Sequence, residues 1–135
     1  MQIQLITKSY FLLNCTYMRK DNCKYRVSQY FPFHPFVAMN LFGFIIVRKE
    51  NLNHYDTGLK RHEKIHTIQM IETLFIGFYL WYAIEWAIRV LAALIKRKSL
   101  LYAYNSILFE KEAYTNQDNP NYLELRKAFQ YKWLK

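Results

Sequence analysis

Apolar and polar positions alternate over residues 2–7 (QIQLIT), as they do along a strand. From there to residue 36 aromatic and charged residues mix without a steady period, which predicts a loosely ordered or peripheral N-terminal segment, 1–36. Pro32 and Pro35, on either side of His34, end whatever precedes them, because proline fixes its own backbone angle and restricts the residue before it. Residues 39–49 (MNLFGFIIVRK) form a short run rich in aromatic and β-branched side chains, which predicts a strand or hairpin. The turn-forming residues of 50–58 (ENLNHYDTG) follow, with Asp56 or Thr57 placed to cap a helix.

The period then changes. Leu59, Ile65, Ile68, Ile71, Leu74 and Phe75 recur at helical intervals and predict one buried face from residue 59 to about 76, with a bend at Gly77. Residues 78–98 continue as a second helix that ends in Lys96, Arg97 and Lys98, the favourable sign for a helix C-terminus. A third helical segment is expected over 102–114, a break over 115–120, and a final amphipathic helix over 121–135. The fold class is therefore mainly α with some β (α+β), in one compact helical domain over 37–135.

On the first long helix, His62 and His66 stand four apart, with Glu63 beside the first, in the sequence LKRHEKIHTIQMIE. Side chains four apart project from one side of a helix, so both imidazoles can converge on a tetrahedral cation, for which zinc (Zn2+) is the expected cofactor. Glu63 is then placed to act as catalytic base, taking a proton from water whose pKa zinc lowers toward about 7. A shuffled chain with this one's four His and seven Glu would contain His-Glu-x-x-His in roughly one trial in 170. The reading therefore needs a third ligand, and Glu110 or Glu112 on a later helix is the candidate. Being two apart, these carboxylates cannot point the same way, so one can face a metal and the other a cation. His34 and His54 read as exposed or hydrogen-bonded, and Thr67 and Gln69 as hydrogen-bonding neighbours of the metal ligands.

The pair HEKIH (62–66) and EKEA (110–113) resembles the gluzincin branch of zinc metallopeptidases, in which a glutamate on a second helix completes the site. More closely, the segments 39–49, 61–72, 78–89 and 103–114 look like a group of small uncharacterised bacterial proteins with the same order, over roughly residues 37–135. The resemblance implies a zincin-like domain with His62, His66 and Glu110 as ligands, Glu112 as the alternative third ligand, Glu63 as general base, and a peptide or protein as substrate. Two departures stand out: Tyr114 occupies the position where many membrane-linked gluzincins have Asp, and the chain is short for a peptidase.

The formal charge of +9 draws attention to anionic partners, but the basic residues are scattered without an aromatic and basic repeat, which argues against specific nucleic-acid binding. Residues 71–95 approach the length of a bilayer span, yet Glu85 and Arg89 interrupt them. These two are spaced to form a structural ion pair, and Tyr79, Tyr82 and Trp86 to pack a core. A helix on a membrane surface, with Trp81, Tyr82 and Trp86 at the interface, accommodates that pattern. Cys15 and Cys23 match no metal-binding pair and read as free thiols, and Arg126 with its neighbouring lysines as a solvated face. With no leader pattern at the N-terminus, the expected location is cytoplasmic or inner-membrane-associated. Zinc-dependent peptide hydrolysis is the leading activity; the competing one is a non-catalytic zinc-binding or membrane-associated interaction protein.

Overall fold

A computed structural model describes residues 25–34 and 36–133. Three short strands open it: β1 (Tyr25–Ser28), β2 (Ala38–Leu41) and β3 (Phe44–Arg48). A 3-10 turn, Lys49–His54, leads to α1 (Thr57–Glu72) and α2 (Ile76–Ile95). Then come α3 (Leu100–Asn105), α4 (Leu108–Asn116), the single turn α5 (Tyr122–Leu125) and a 3-10 turn at Gln130–Trp133. The fold is mainly α with a small sheet, as the sequence leads one to expect.

The strand or hairpin expected at 39–49 takes the form of a hairpin. β2 and β3 pair antiparallel, with Ala38 opposite Val47 and Leu41 opposite Phe44. Its two-residue turn has positive φ at both Phe42 (52°) and Gly43 (87°), the geometry that matches the twist of the strands. Gly43 adopts this freely. Phe42 does so at a steric cost, against which its N–H donates to the Tyr79 hydroxyl at 2.9 Å and its ring packs on Tyr79. β1 adds to the other edge of β3, in parallel, giving the order β1-β3-β2. Within the segment expected to be peripheral or loosely ordered, residues 25–28 form this exposed edge strand; the strand expected at 2–7 and both cysteines lie outside the described residues.

Ile45 and Val47 point inward from alternate positions of β3 and pack with Tyr55. A second cluster, Met70, Phe78, Ile107, Phe109 and Tyr131, ties α1, α2 and α4 to the C-terminal turn. Asp56 caps α1, its carboxylate accepting from the Leu59 N–H at 2.8 Å. The bend between the long helices falls at Leu74 and Phe75, both at positive φ, and not at Gly77. The third helical segment is broken at Ser106–Ile107 into α3 and α4, and the expected 121–135 helix is reduced to α5 and the last 3-10 turn.

The sequence pairing of Glu85 with Arg89 holds, at 2.9 Å. Glu85 does more: one oxygen also accepts from the Leu108 N–H at 3.1 Å and the other from Trp81 Nε1 at 3.1 Å. A carboxylate on α2 therefore satisfies a free N–H at the start of α4, the helix that carries Glu110 and Glu112.

Candidate metal centre

α1 runs through the middle of the molecule, so several of its polar residues are buried: His62, Glu63, His66 and Gln69, beside Ile65 and Ile68. Burying so many polar groups costs free energy unless they are paired or serve a site. Asn40 on β2 fixes the strand against this helix, its amide donating to the Glu63 carbonyl at 2.8 Å and to Thr67 Oγ1 at 2.7 Å. Nothing in the local pattern of β2 marks Asn40 out.

His62 Nε2 and His66 Nε2 lie 3.0 Å apart. Glu110, in the first turn of α4, faces both: its Oε2 is 3.4 Å from His62 Nε2 and its Oε1 is 3.4 Å from His66 Nε2. Adjacent ligands of a tetrahedral ion with bonds of 2.0–2.1 Å sit about 3.3–3.4 Å apart, so the three side chains span one face of such a tetrahedron. All three are buried, and together they could hold a metal ion.

Hydrogen bonding behind the rings supports the fit. Gln69 donates its amide to the Phe109 carbonyl at 3.2 Å and to Glu112 Oε2 at 3.0 Å, so its oxygen turns to His66 Nδ1, at 2.7 Å. In its neutral form His66 therefore carries its proton on Nδ1 and directs the Nε2 lone pair inward. Gln117 Oε1 does the same for His62 Nδ1 at 3.2 Å, directing a second lone pair at the first. In those neutral forms two lone pairs would face each other at 3.0 Å, a repulsion that a shared cation, whether a proton or a metal ion, relieves. Glu110 Oε2, moreover, is buried without a hydrogen-bond partner. Burial works against a charged His66, but the Glu110 carboxylate outweighs it and pushes this imidazole up to about 9. Burial likewise opposes the Glu110 charge, and the two histidines overcome it, holding the carboxyl well below its usual range. The site attracts positive charge.

Glu112 points the other way. It accepts from Gln69, from the Tyr122 hydroxyl at 2.8 Å and from Arg126, which also forks onto Glu72. One carboxylate faces the histidines and its neighbour faces a cation, as their spacing requires. Arg126 is not on a solvated face: its side chain is 2% exposed. His34, exposed, pairs with Glu50, and His54 lies exposed in the 3-10 turn, both away from the centre. Thr67 serves the backbone and Asn40 rather than either imidazole.

Tyr114 packs its ring edge-on against His62 at 4.5 Å, and Gln117 supplies the acceptor for that histidine. The sequence signal for Gln117 is its place seven residues, two helical turns, beyond Glu110. Gly58 lets α1 approach it: a Cβ there would stand 3.0 Å from the Asp118 carboxylate. Replacing Gln117 by Leu is expected to weaken metal affinity about 10–100-fold while the fold persists, as read by chelator competition. Unchanged affinity would exclude the orienting role.

Tyr82 donates to Glu110 Oε1 at 2.9 Å from α2. Beside it opens a cavity of about 460 Å³ that His62, Glu63, His66 and Glu110 share with β2 and with an apolar wall including Met70, Phe78 and Trp86. Burial raises the Glu63 carboxyl, and the two imidazoles offset part of the rise. Tyr79, Tyr82 and Trp86 thus line a cavity, and Tyr79 and Tyr82 also pack against the core.

Comparison of the chain with protein-family models, with curated proteins and with solved structures finds no match. What the centre can do is therefore decided by its own atoms.

Proposed function

We propose that the chain is a zinc-dependent peptidase whose metal is held by His62, His66 and Glu110 and whose general base is Glu63. The observation that carries the reading is that Glu63, itself outside the three-ligand set, opens into the same cavity as those ligands. Two imidazoles and a carboxylate are the donor set of catalytic zinc, which leaves a fourth position for water or substrate. A zinc ion held there supplies a Lewis acid that polarises a carbonyl and acidifies water.

The chain's own residues do the rest. β2 lies at the sheet edge, its strand ladder formed with β3 alone among the described residues, and Ala38–Leu41 line the cavity. An extended peptide can pair with that edge and so present its backbone to α1. The apolar wall receives a large aliphatic or aromatic side chain and keeps water from the reacting carbonyl. Glu63, its proton affinity raised by burial, takes a proton from the attacking water and returns it to the leaving amine. Tyr82 holds Glu110 in place.

The test is metal content and cleavage together. Protein purified without chelators is expected to hold one zinc per chain and to cleave peptides carrying large apolar residues, with loss of cleavage on chelation and recovery with zinc. Substituting His66 by Ala removes both metal and activity. A parent protein free of metal after incubation with zinc ends the proposal.

A further inference from the structure

The surface of α2 is out of keeping with a helix in water. Ile76, Leu80, Ile84, Ile88, Leu91 and Ile95 form one continuous exposed stripe, from 59% exposure at Ile88 to 83% at Ile95. Exposed Leu94, Leu100 and Leu101 extend it at one end. At the other end Leu74 and the hairpin residues Phe42 and Phe44 are exposed as well, and Phe42 stacks on Phe75 just before the helix. The charges of α2 lie elsewhere: Glu85 is buried, and Arg89 is paired to it on the side facing α4.

At 20 residues the helix is long and apolar enough to cross a bilayer. Its opposite face, however, is occupied by the rest of the protein through Phe78, Tyr82 and Glu85. With one face packed on a domain that brings the Glu85–Arg89 ion pair and the hydrogen-bonded start of α4 against it, and the other face bare and apolar, the helix is suited to lie along an interface. Where the stripe ends, the chain runs straight into three exposed cations, Lys96, Arg97 and Lys98, on a protein of net charge +9. That charge complements anionic headgroups and repels a second copy of the same chain.

We infer that the exposed face of α2 docks in the plane of an anionic lipid bilayer, with Lys96, Arg97 and Lys98 at the headgroups. Ala83 and Trp86 are exposed on α2 and also line the metal-site cavity, so docking brings the cavity wall to the lipid boundary. Substrate would then be met at the membrane surface.

Flotation of the full chain with phosphatidylcholine vesicles, with or without a quarter phosphatidylglycerol, tests this independently of metal and of hydrolysis. The parent is expected to float with the anionic vesicles and much less with the neutral ones, and to be released by salt. Ile84→Glu with Ile88→Glu, which touches neither the ligands nor the cavity, abolishes flotation while zinc content and circular dichroism stay at parental values. Replacing Lys96, Arg97 and Lys98 by Gln weakens partitioning by about fivefold for each cation at the surface. A parent that remains unfloated, floats equally with both compositions, or floats equally well as the double glutamate variant overturns the inference. So does sedimentation showing a dimer that the glutamates dissociate, since a second copy would then cover the face.

Discussion

Exchanging Glu63 for Gln is expected to lower peptide hydrolysis by about 10²–10⁴-fold, the usual contribution of a positioned acid or base, while one zinc per chain is retained. The two outcomes separate because Glu63 stands in the cavity but outside the group formed by His62, His66 and Glu110. Its backbone carbonyl, which receives the Asn40 amide and the Thr67 hydroxyl, is untouched by the exchange, so α1 keeps its seat against β2. Glutamine matches the shape of glutamate but cannot take a proton from water. Steady-state kinetics on a peptide cleaved by the parent, with metal analysis on the same preparation, reads both. Parental turnover in the variant would remove Glu63 from the reaction and with it the proposed chemistry. Loss of zinc together with activity would instead assign Glu63 a part in building the centre.

Changing Arg126 to Met should produce the largest loss of stability, about 3–5 kcal/mol, because it strands two buried carboxylates. The guanidinium grips Glu72 through Nη1 at 2.6 Å and Nη2 at 3.0 Å, and it reaches both oxygens of Glu112. Side-chain exposure is 2% for Arg126, 2% for Glu72 and 0% for Glu112, so water cannot replace the lost partner. Burial disfavours the Arg126 charge, but Glu72 and Glu112 more than compensate and raise its pKa further. Urea unfolding measures the effect. A change under about 1 kcal/mol would mean the pair is solvated in solution. Adding Glu72→Gln and Glu112→Gln to the same variant should recover part of the loss, since neutral amides are less costly to bury than unpaired charges. Because Glu112 also holds Gln69, and Gln69 holds His66, the single variant is expected to bind zinc more weakly than the parent even where it is folded.

Features set by neighbours within a few residues were legible in the sequence. The four-residue interval of His62 and His66 places both rings on one side of any α-helix, and Asp56 caps that helix from the turn before it. The hairpin is written in its short β-rich run around Gly43, and Glu85 and Arg89 meet because they are one turn apart. That Glu110 and Glu112 face opposite ways follows from helical phase alone. Which of them turns toward the histidines does not: that depends on how α4 is rotated against α1, fixed by Ile107, Phe109 and Ala113 filling the core and by Glu85 capping the helix. The same dependence on distant packing explains the misses. β1 joins β3 in parallel across an intervening strand, Arg126 turns inward to meet Glu72 on a helix 54 positions earlier, and Gln117 and Asn40 reach α1 from other elements. Periodicity reports what a residue shares with its own turn of chain. The exposure of the α2 stripe likewise became visible only once the elements that cover its other face were in place.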